Sequence, residues 1–501
     1  MDVKQYEPKI EEIINLVKNP FEEDLRPIFK AFEFSKKAHE GQKRFSGEPY
    51  FIHPFETAKI VAGLRLDVPT IAASLLHDTC EDCLITGGKT NIDVRLLKKE
   101  FGEEIAFLVE GVTKLGKLKY RGEERMVENL RKMFMAMAKD IRVVLIKLAD
   151  RLHNMHTLQY ISPEKQKRIA METMEIYAPL ANRLGMGEFK GRLEDLAFTF
   201  IYPDDLEKIK ELIKDRYKKR EDDLEKIKIK IEREIKIERL KDIKIDSRVK
   251  HLYSLFKKLQ RPEVNMDINK VYDFIALRIV TNSVEECYKV LGIIHKLWKP
   301  LPGRIKDYIA LPKPNGYQSL HTTVFAERGK ITEIQIRTEK MHEEAEYGIA
   351  AHWVYEETGK PKTGARIQHG HSWVQQLVEW QKDVSKSKDF LETLRIDFFN
   401  NRVFCLTPKG DVIDLPEGAT AIDFAYAVHS EIGNCATGAV INDKFVSLNS
   451  VLKNGDIIKI QVQKNKKPST EWLEHTKTSF AKKEIKSELK KGEKFRIFKI
   501  F

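Results

Sequence analysis

Two imidazoles and two carboxylates in the first part of the chain stand where they could share a metal ion. His53 precedes Pro54 at the start of a helix-like stretch, His77 and Asp78 are neighbours, and Asp150 lies on a further stretch with helical apolar spacing. Mixed imidazole and carboxylate ligands suit a borderline-to-hard divalent cation such as Mn2+ better than a thiolate-type zinc site does. Glu81 and Asp82 follow His77 and Asp78 at i+4, the same face of a continuous helix. Carboxylates there would point at a metal-activated water, to orient it or take its proton. The same spacing also fits an ordinary solvated helix end, so residue types and spacing leave both readings open. Cys80 and Cys83 form a C-x-x-C, read as incidental because no second Cys pair and no βαβ pattern accompany it.

A second set of charges lies further on. Asp273 interrupts an apolar, β-branched run, and Glu333, Gln335 and Arg337 alternate with Ile334 and Ile336. That alternation puts the polar groups on one strand face and the isoleucines on the other. Two carboxylates on neighbouring strands could share a Mg2+ that bridges ATP phosphates. Arg248, Lys250, Lys258, Arg304, Lys306 and Lys313 supply positive charge for a triphosphate, and Tyr317 offers a ring for base stacking. No G-x-x-x-x-G-K-[ST] occurs, which excludes the P-loop route. On pattern alone, an amphipathic sheet with one solvated face is the better explanation of these residues.

Elements of several domains must position these groups. At 501 residues the chain is long enough for about three domains. Its 42% apolar and 33% charged residues allow several cores under a soluble surface. No run approaches the ~20 apolar residues of a membrane span, and the opening stretch mixes acids and bases without an apolar h-region. Five cysteines make no disulfide framework, so the expectation is a soluble, cytoplasmic protein with no membrane partner. The 88 basic and 76 acidic residues leave +12, which permits an anionic partner without naming one.

Residues 1–203 show helical spacing throughout, with segments at 69–82, 124–139, 141–159 and 163–182, and read as all-α. Residues 204–240 read as a charged helical connector laced with ion pairs, although the period-two run KIKIKI at 226–231 could make part of it a strand. Residues 241–356 form an α/β domain, with a buried strand at 271–280, a helix at 284–298 and a hairpin over 317–338 turning at 328–330. A linker and helix follow at 357–398, then a small β-rich unit at 399–463 with one helix over 421–432, then a basic helical tail at 464–501.

The runs HEGQKRFSGEPYFIHP (39–54), HDTCED (77–82) and KLADRLHNM (147–155) resemble, in this order, the hydrolase half of the RelA/SpoT-homologue family. These are bifunctional enzymes of the guanosine alarmone (p)ppGpp. The resemblance implies an all-α HD-type domain in which His53, His77, Asp78 and Asp150 hold Mn2+, and Glu81 and Asp82 activate the water that removes the 3′-pyrophosphate. Arg44, Ser46, Asn154 and Thr157 would contact the nucleotide; Asp150, Asn154 and Thr157 are spaced to share one helix face. Phe45 stands where many members carry Lys.

DSRVKHLYSLFKKL (246–259), VYDFIALR (271–278), GRIKDYIALPKPNGYQSLHTTV (303–324) and EIQIRT (333–338) resemble the synthetase half, a nucleotidyltransferase-like α/β domain. By that resemblance Asp273 and Glu333 hold Mg2+, and Glu333 is also the base for the guanosine 3′-hydroxyl. Arg248 and Arg278 sandwich adenine, while Lys250, Ser254, Lys258, Lys306 and Lys313 bind ATP phosphates. Tyr317 stacks on guanine, with His321 and Gln335 supporting. Asp273 and Arg278 are five apart, which requires a bulge or a strand end between them. RIKD (304–307) is the basic motif form that accompanies bifunctional members.

The stretch 403–442 resembles a TGS domain, a small β-grasp-like module. It implies contact between His429 and the acceptor end of an uncharged tRNA on the ribosome; His429 as a mere helix cap is the alternative. Longer members continue into zinc-finger-like and ACT regions, and no Cys/His cluster follows Cys435 here. The expectation is a bifunctional enzyme. One site transfers pyrophosphate from ATP to GDP or GTP, and the other, Mn2+-dependent, hydrolyses (p)ppGpp. A hydrolase with a silent second domain, or a tRNA- and ribosome-binding regulator, are the alternatives.

Overall fold

The computed structural model describes residues 7–17, 24–82, 92–116, 135–137, 139–313, 315–326, 329–351, 402–453, 455–464 and 466–497. The expected helix at 124–139, the linker at 357–398 and part of the hairpin turn at 328–330 fall wholly or largely outside these residues. The described residues divide into two compact units, one ending at 351 and one beginning at 402.

The first unit opens with helices α1 (Glu11–Ile14), α2 (Arg26–Ala38), α3 (Ile52–Gly63), α4 (Val68–Leu76), α5 (Thr79–Asp82), α6 (Val94–Gly116), α7 (Arg142–His156), α8 (Pro163–Glu172), α9 (Ala178–Arg183) and α10 (Gly187–Ile201). Every residue of α4 except Pro69 is buried, so it forms the centre against which α2 and α3 pack. Asp67 caps α4 by accepting from the Thr70 N–H at 3.1 Å, and Pro69 sits in its first turn. Buried Arg142 starts α7 with ion pairs to Asp67, Glu104 and Asp140, each at 2.7 Å. The sequence reading of 69–82 as one helix is corrected. Side chains capture carbonyls across the break: His77 Nδ1–H donates to the Ser74 carbonyl at 2.8 Å and the Thr79 hydroxyl to that of Leu76 at 2.7 Å. His77 and Asp78 therefore occupy a turn between α4 and α5.

Helix α11 (Pro203–Ile237) spans the charged connector in one piece. A strand would set Ile227, Ile229 and Ile231 on one face; instead Ile227, Ile231 and Ile235 are buried at helical spacing while Ile229 is 56% exposed. The buried isoleucines join the core under a five-stranded sheet ordered β1-β2-β5-β4-β3. Its strands are β1 (Lys244–Val249), β2 (Ile275–Thr281), β3 (Lys306–Asp307), β4 (Leu320–Phe325) and β5 (Ile331–Thr338), interleaved with α12 (Leu252–Leu259) and α13 (Val284–Leu297) and followed by α14 (Glu339–Tyr347). Strands β2 and β5 pair in parallel and the other neighbours antiparallel. The expected strand over 271–280 starts only at Ile275, so Asp273 lies in the turn ahead of it. This is the strand end that the five-residue spacing to Arg278 required.

At one point the helical and sheet parts touch through main chain. The Ile349 N–H donates to the Leu184 carbonyl at 2.9 Å. Gly348 has φ +58°, and a Cβ on it would come within 2.3 Å of that carbonyl oxygen. Glycine alone fits there.

The second unit holds β6 (Arg402–Leu406) paired with β7 (Val412–Pro416), and a sheet ordered β10-β8-β9 from β8 (Ala436–Ile441), β9 (Lys444–Val446) and β10 (Ile458–Val462). The expected single helix over 421–432 is two, α15 (Ala421–Val428) and α16 (Ser430–Asn434), broken at His429, which takes an extended conformation and accepts the Glu431 N–H on Nδ1 at 3.2 Å. After α17 (Trp472–His475), the basic tail helix α18 (Ser479–Ile497) buries Ala481 and Ile485 in the core of this unit. Buried Asp423 ties that tail down, accepting from the Lys477 and Thr478 N–H groups and the Thr478 hydroxyl at 2.7–3.1 Å while completing the capping box with Thr420. No helix among the described residues is long and apolar enough to cross a membrane.

Candidate active sites

In the helical part, α3, the α4–α5 turn and α7 converge on four of the expected side chains. One donor atom each from His53, His77 and Asp150 lies within 4.8 Å of the others. His53 Nε2 stands 3.2 Å from Asp150 Oδ1 and 3.4 Å from Asp78 Oδ2, and His77 Nε2 lies 3.2 Å from Asp78 Oδ1. Tautomers follow from the partners. The His77 Nδ1–H is spent on the Ser74 carbonyl, which leaves Nε2 a bare lone pair, buried and without a hydrogen bond. Arg44 Nη1 donates to His153 Nδ1 at 3.1 Å, so that nitrogen accepts. His53 Nδ1, 2.7 Å away, therefore carries the proton and turns its own lone pair on Nε2 towards the carboxylates. Burial keeps His53 neutral, below its usual value. Burial opposes ionisation of Asp150, but the Lys147 ammonium at 2.6 Å outweighs it and holds the carboxyl well below the usual range. Four lone-pair donors facing one another, one an orphaned buried nitrogen, are the environment of a divalent cation.

Around this centre the structure brings together Arg44, Asn154 and Thr157: Arg44 Nη2 donates to Asn154 Oδ1 at 3.0 Å and to Thr157 Oγ1 at 3.2 Å. The shared face of α7 is as the spacing predicts. Ser46 turns instead to Glu48, at 2.9 Å. Phe45 is 83% exposed on the same turn. Glu81 and Asp82 lie on α5, but their side chains are outside the described residues, and the i+4 argument drawn for a continuous helix does not carry across the break. The sequence reading missed His153, Lys147 and Tyr50, whose hydroxyl donates to Asp78 Oδ2 at 3.1 Å. Only the i+3 spacing of Lys147, Asp150 and His153 hinted at the first two.

In the sheet, strand register lines up the second set. Asp246, Arg278, Gln335, His321 and Lys306 are consecutive partners across β1, β2, β5, β4 and β3. Glu333, two residues from Gln335 on the same face, accepts from the Gln335 amide at 3.0 Å and lies 3.3 Å from His321 Nδ1. Burial raises its pKa, but the His321 and Gln335 contacts win and leave it below the usual value. Tyr317 and His321 share a hydrogen bond at 2.9 Å, and Lys313 Nζ sits 4.9 Å from the centre of the Tyr317 ring. Lys250 and Lys258 each donate to one oxygen of Asp273 at 2.7 Å. Against burial they hold that carboxyl down at about 2. Ser254 lies one turn before Lys258 on α12, and Arg248 reaches Gln335 Oε1 at 3.4 Å. Arg278 is tied to Asp246 and, at 2.8 Å, to Glu346. Glu346 also receives buried Arg337, at 3.0 Å. The alternation of polar residues on β5 holds, but Arg337 and Gln335 are covered rather than solvated. That removes the plain solvated-face explanation. Neither Glu346 nor the role of Arg337 was visible in the sequence.

Residues 31–187 match the HD domain model, 247–360 a region found in RelA / SpoT proteins, and 403–462 the TGS domain. The chain is 46% identical over 491 residues to a guanosine-3′,5′-bis(diphosphate) 3′-pyrophosphohydrolase of Aquifex aeolicus, covering 98% of this chain and 68% of that protein. It belongs to the RelA/SpoT family. A GTP pyrophosphokinase of Myxococcus xanthus is 47% identical over 94% of this chain and 61% of its own length. The bifunctional (p)ppGpp synthase/hydrolase SpoT of Escherichia coli is 43% identical over 94% of this chain and 65% of its own. The chain thus spans about two thirds or less of these relatives. Its three modules follow the expected fold: a helical HD domain, a mixed-sheet domain and a TGS domain.

Proposed function

We propose that this chain both makes and removes (p)ppGpp. The observation that carries the reading is the coexistence, in one compact unit, of the convergent His53–His77–Asp78–Asp150 cluster and two further carboxylates, Asp273 gripped by Lys250 and Lys258 and Glu333 held by His321 and Gln335.

In the helical domain the four cluster residues would hold Mn2+, which when bound supplies Lewis acidity to water and phosphate. Arg44, Asn154 and Thr157, with Ser46 beside them, would hold the guanosine nucleotide so that its 3′-pyrophosphate meets the cluster. Glu81 and Asp82 would orient water and take its proton. The products are GDP or GTP and pyrophosphate.

In the sheet domain Asp273 and Glu333 would hold Mg2+, which when bound neutralises phosphate charge. Glu333, held ionised by His321, would accept the proton of the guanosine 3′-hydroxyl. Tyr317, braced by His321, would stack on guanine, with Gln335 lining the pocket. Arg248 and Arg278 would flank adenine. Lys250, Ser254, Lys258, Lys306 and Lys313 would gather the triphosphate, and AMP leaves. For the TGS domain the reading is contact with uncharged tRNA on the ribosome through His429, which is exposed. The compartment we propose is the cytoplasm.

Anion-exchange analysis of the protein with GDP, ATP and Mg2+ tests the reading. The expected result is ppGpp with matching AMP, abolished by Glu333→Ala and retained in Glu81→Ala, which instead loses Mn2+-dependent hydrolysis. Hydrolysis without any synthesis would leave a hydrolase with a silent second domain.

A further inference from the structure

The segment that carries Lys250 and Lys258 is held from outside its own domain. His251 follows Lys250 and begins α12, and its ring lies against α10 of the helical domain. Nδ1 stands 2.8 Å from Asp195 Oδ2 and Nε2 stands 3.2 Å from Glu188 Oε2. A carboxylate oxygen only accepts, so both ring nitrogens donate and the ring is an imidazolium. The second oxygen of Asp195 accepts the Tyr253 N–H at 2.9 Å. His251, at the N-cap position of α12, provides no side-chain cap of its own. One carboxylate of the helical domain therefore pairs with His251 and also caps the first turn of α12. Gly191 lies on the same face of α10 as Glu188 and Asp195, and a Cβ there would come within 2.1 Å of the His251 ring.

We propose that this clamp, Glu188–His251–Asp195, is a positioning element for pyrophosphoryl transfer. The Lys250 N–H donates to the Phe274 carbonyl at 2.9 Å while its ammonium grips one oxygen of Asp273; Lys258, further along α12, grips the other. Fixing the start of α12 fixes both ammonium groups on that carboxylate. A surface of the helical domain thereby sets the geometry of the sheet-domain site. The inference rests on the synthetase reading given above.

The test uses the full chain with Gly191→Ala, which is favourable to a helix but displaces the ring, and separately Asp195→Asn, which keeps an acceptor for the Tyr253 N–H but removes the charge. In both, kcat for synthesis is expected to fall roughly ten- to hundredfold through misplaced ammonium groups. KM for GDP and the rate of ppGpp hydrolysis on the same preparation should stay within about twofold. Adding His251→Ala to Gly191→Ala relieves the clash without rebuilding the clamp, and should not restore synthesis. Unchanged synthesis in both variants would overturn the proposal. So would a parallel loss of synthesis, hydrolysis and thermal stability, which marks a merely structural contact. A parent chain that forms no (p)ppGpp removes the synthetase reading and the clamp's role with it.

Discussion

His53 Nδ1 and His153 Nδ1 lie 2.7 Å apart, and because Arg44 also donates to His153, the bridging proton belongs to His53. This hydrogen bond selects the tautomer that turns the His53 lone pair on Nε2 into the cluster, the role that orienting partners play around metal-binding imidazoles.

Removing that partner should cost metal affinity rather than fold. His153→Ala is expected to weaken Mn2+ binding, measured by calorimetry on the chelator-treated protein, by about 10–100-fold, with a similar loss of ppGpp hydrolysis. ATP-dependent synthesis should be unaffected. Undiminished Mn2+ affinity would show that His153 orients nothing.

The clamp between the domains predicts a pH dependence of stability. Burial lowers the pKa of His251, but Asp195 and Glu188 outweigh it and lift the ring to about 9 from an ordinary 6.5. Arg192 and Arg248 face Glu188 across the same contact. The contribution is fully present below the ordinary value and disappears as pH rises through the folded one, an effect on the order of 3 kcal/mol. Thermal unfolding of the parent should therefore fall between pH 7 and 9.5 more steeply than that of His251→Gln. Parallel curves would remove the ion pair from the account.

Glu346 is shared by Arg278 and by Arg337, whose side chain is 1% exposed. Glu346→Ala leaves Arg337 buried with only the His342 ring at 2.7 Å for a described polar partner of that guanidinium nitrogen. Breaking a buried pair from one side costs about 3–5 kcal/mol. The first unit should unfold at markedly lower denaturant concentration, and Glu346→Gln, which retains an acceptor, should recover part of the loss.

Asp423 makes a comparable prediction in the second unit. Asp423→Ala removes the shared acceptor for Thr420, Lys477 and Thr478, and leaving such buried donors unpaired costs about 1–3 kcal/mol. Amide exchange at residues 481–489 should accelerate, while exchange in the β8–β10 sheet changes less. Uniform acceleration throughout the unit would mean that α18 is not separately tethered.

What the sequence made legible follows from range. The alternation of Glu333, Gln335 and Arg337 with isoleucines is a period-two signal contained in a few residues, and β5 follows it. Asp150, Asn154 and Thr157 share a face because helical spacing is equally local. His153, Glu346 and Asp195 acquire their roles from partners 100, 68 and 56 positions away, and no spacing rule reaches so far. The break between α4 and α5 escaped for another reason: Ser74, His77 and Thr79 compete for carbonyls through side chains that an apolar pattern does not weigh. In the connector two periods competed, and burial of Ile227, Ile231 and Ile235 decided for the helix.

The contact of Gly348 with the Leu184 carbonyl carries a consequence for inheritance. A joint made of main-chain atoms has no side chain through which mutation could adjust it by degrees. Side chains around either candidate site can be exchanged for others of nearby size in small steps, whereas even the smallest side chain added at Gly348 meets the carbonyl at once.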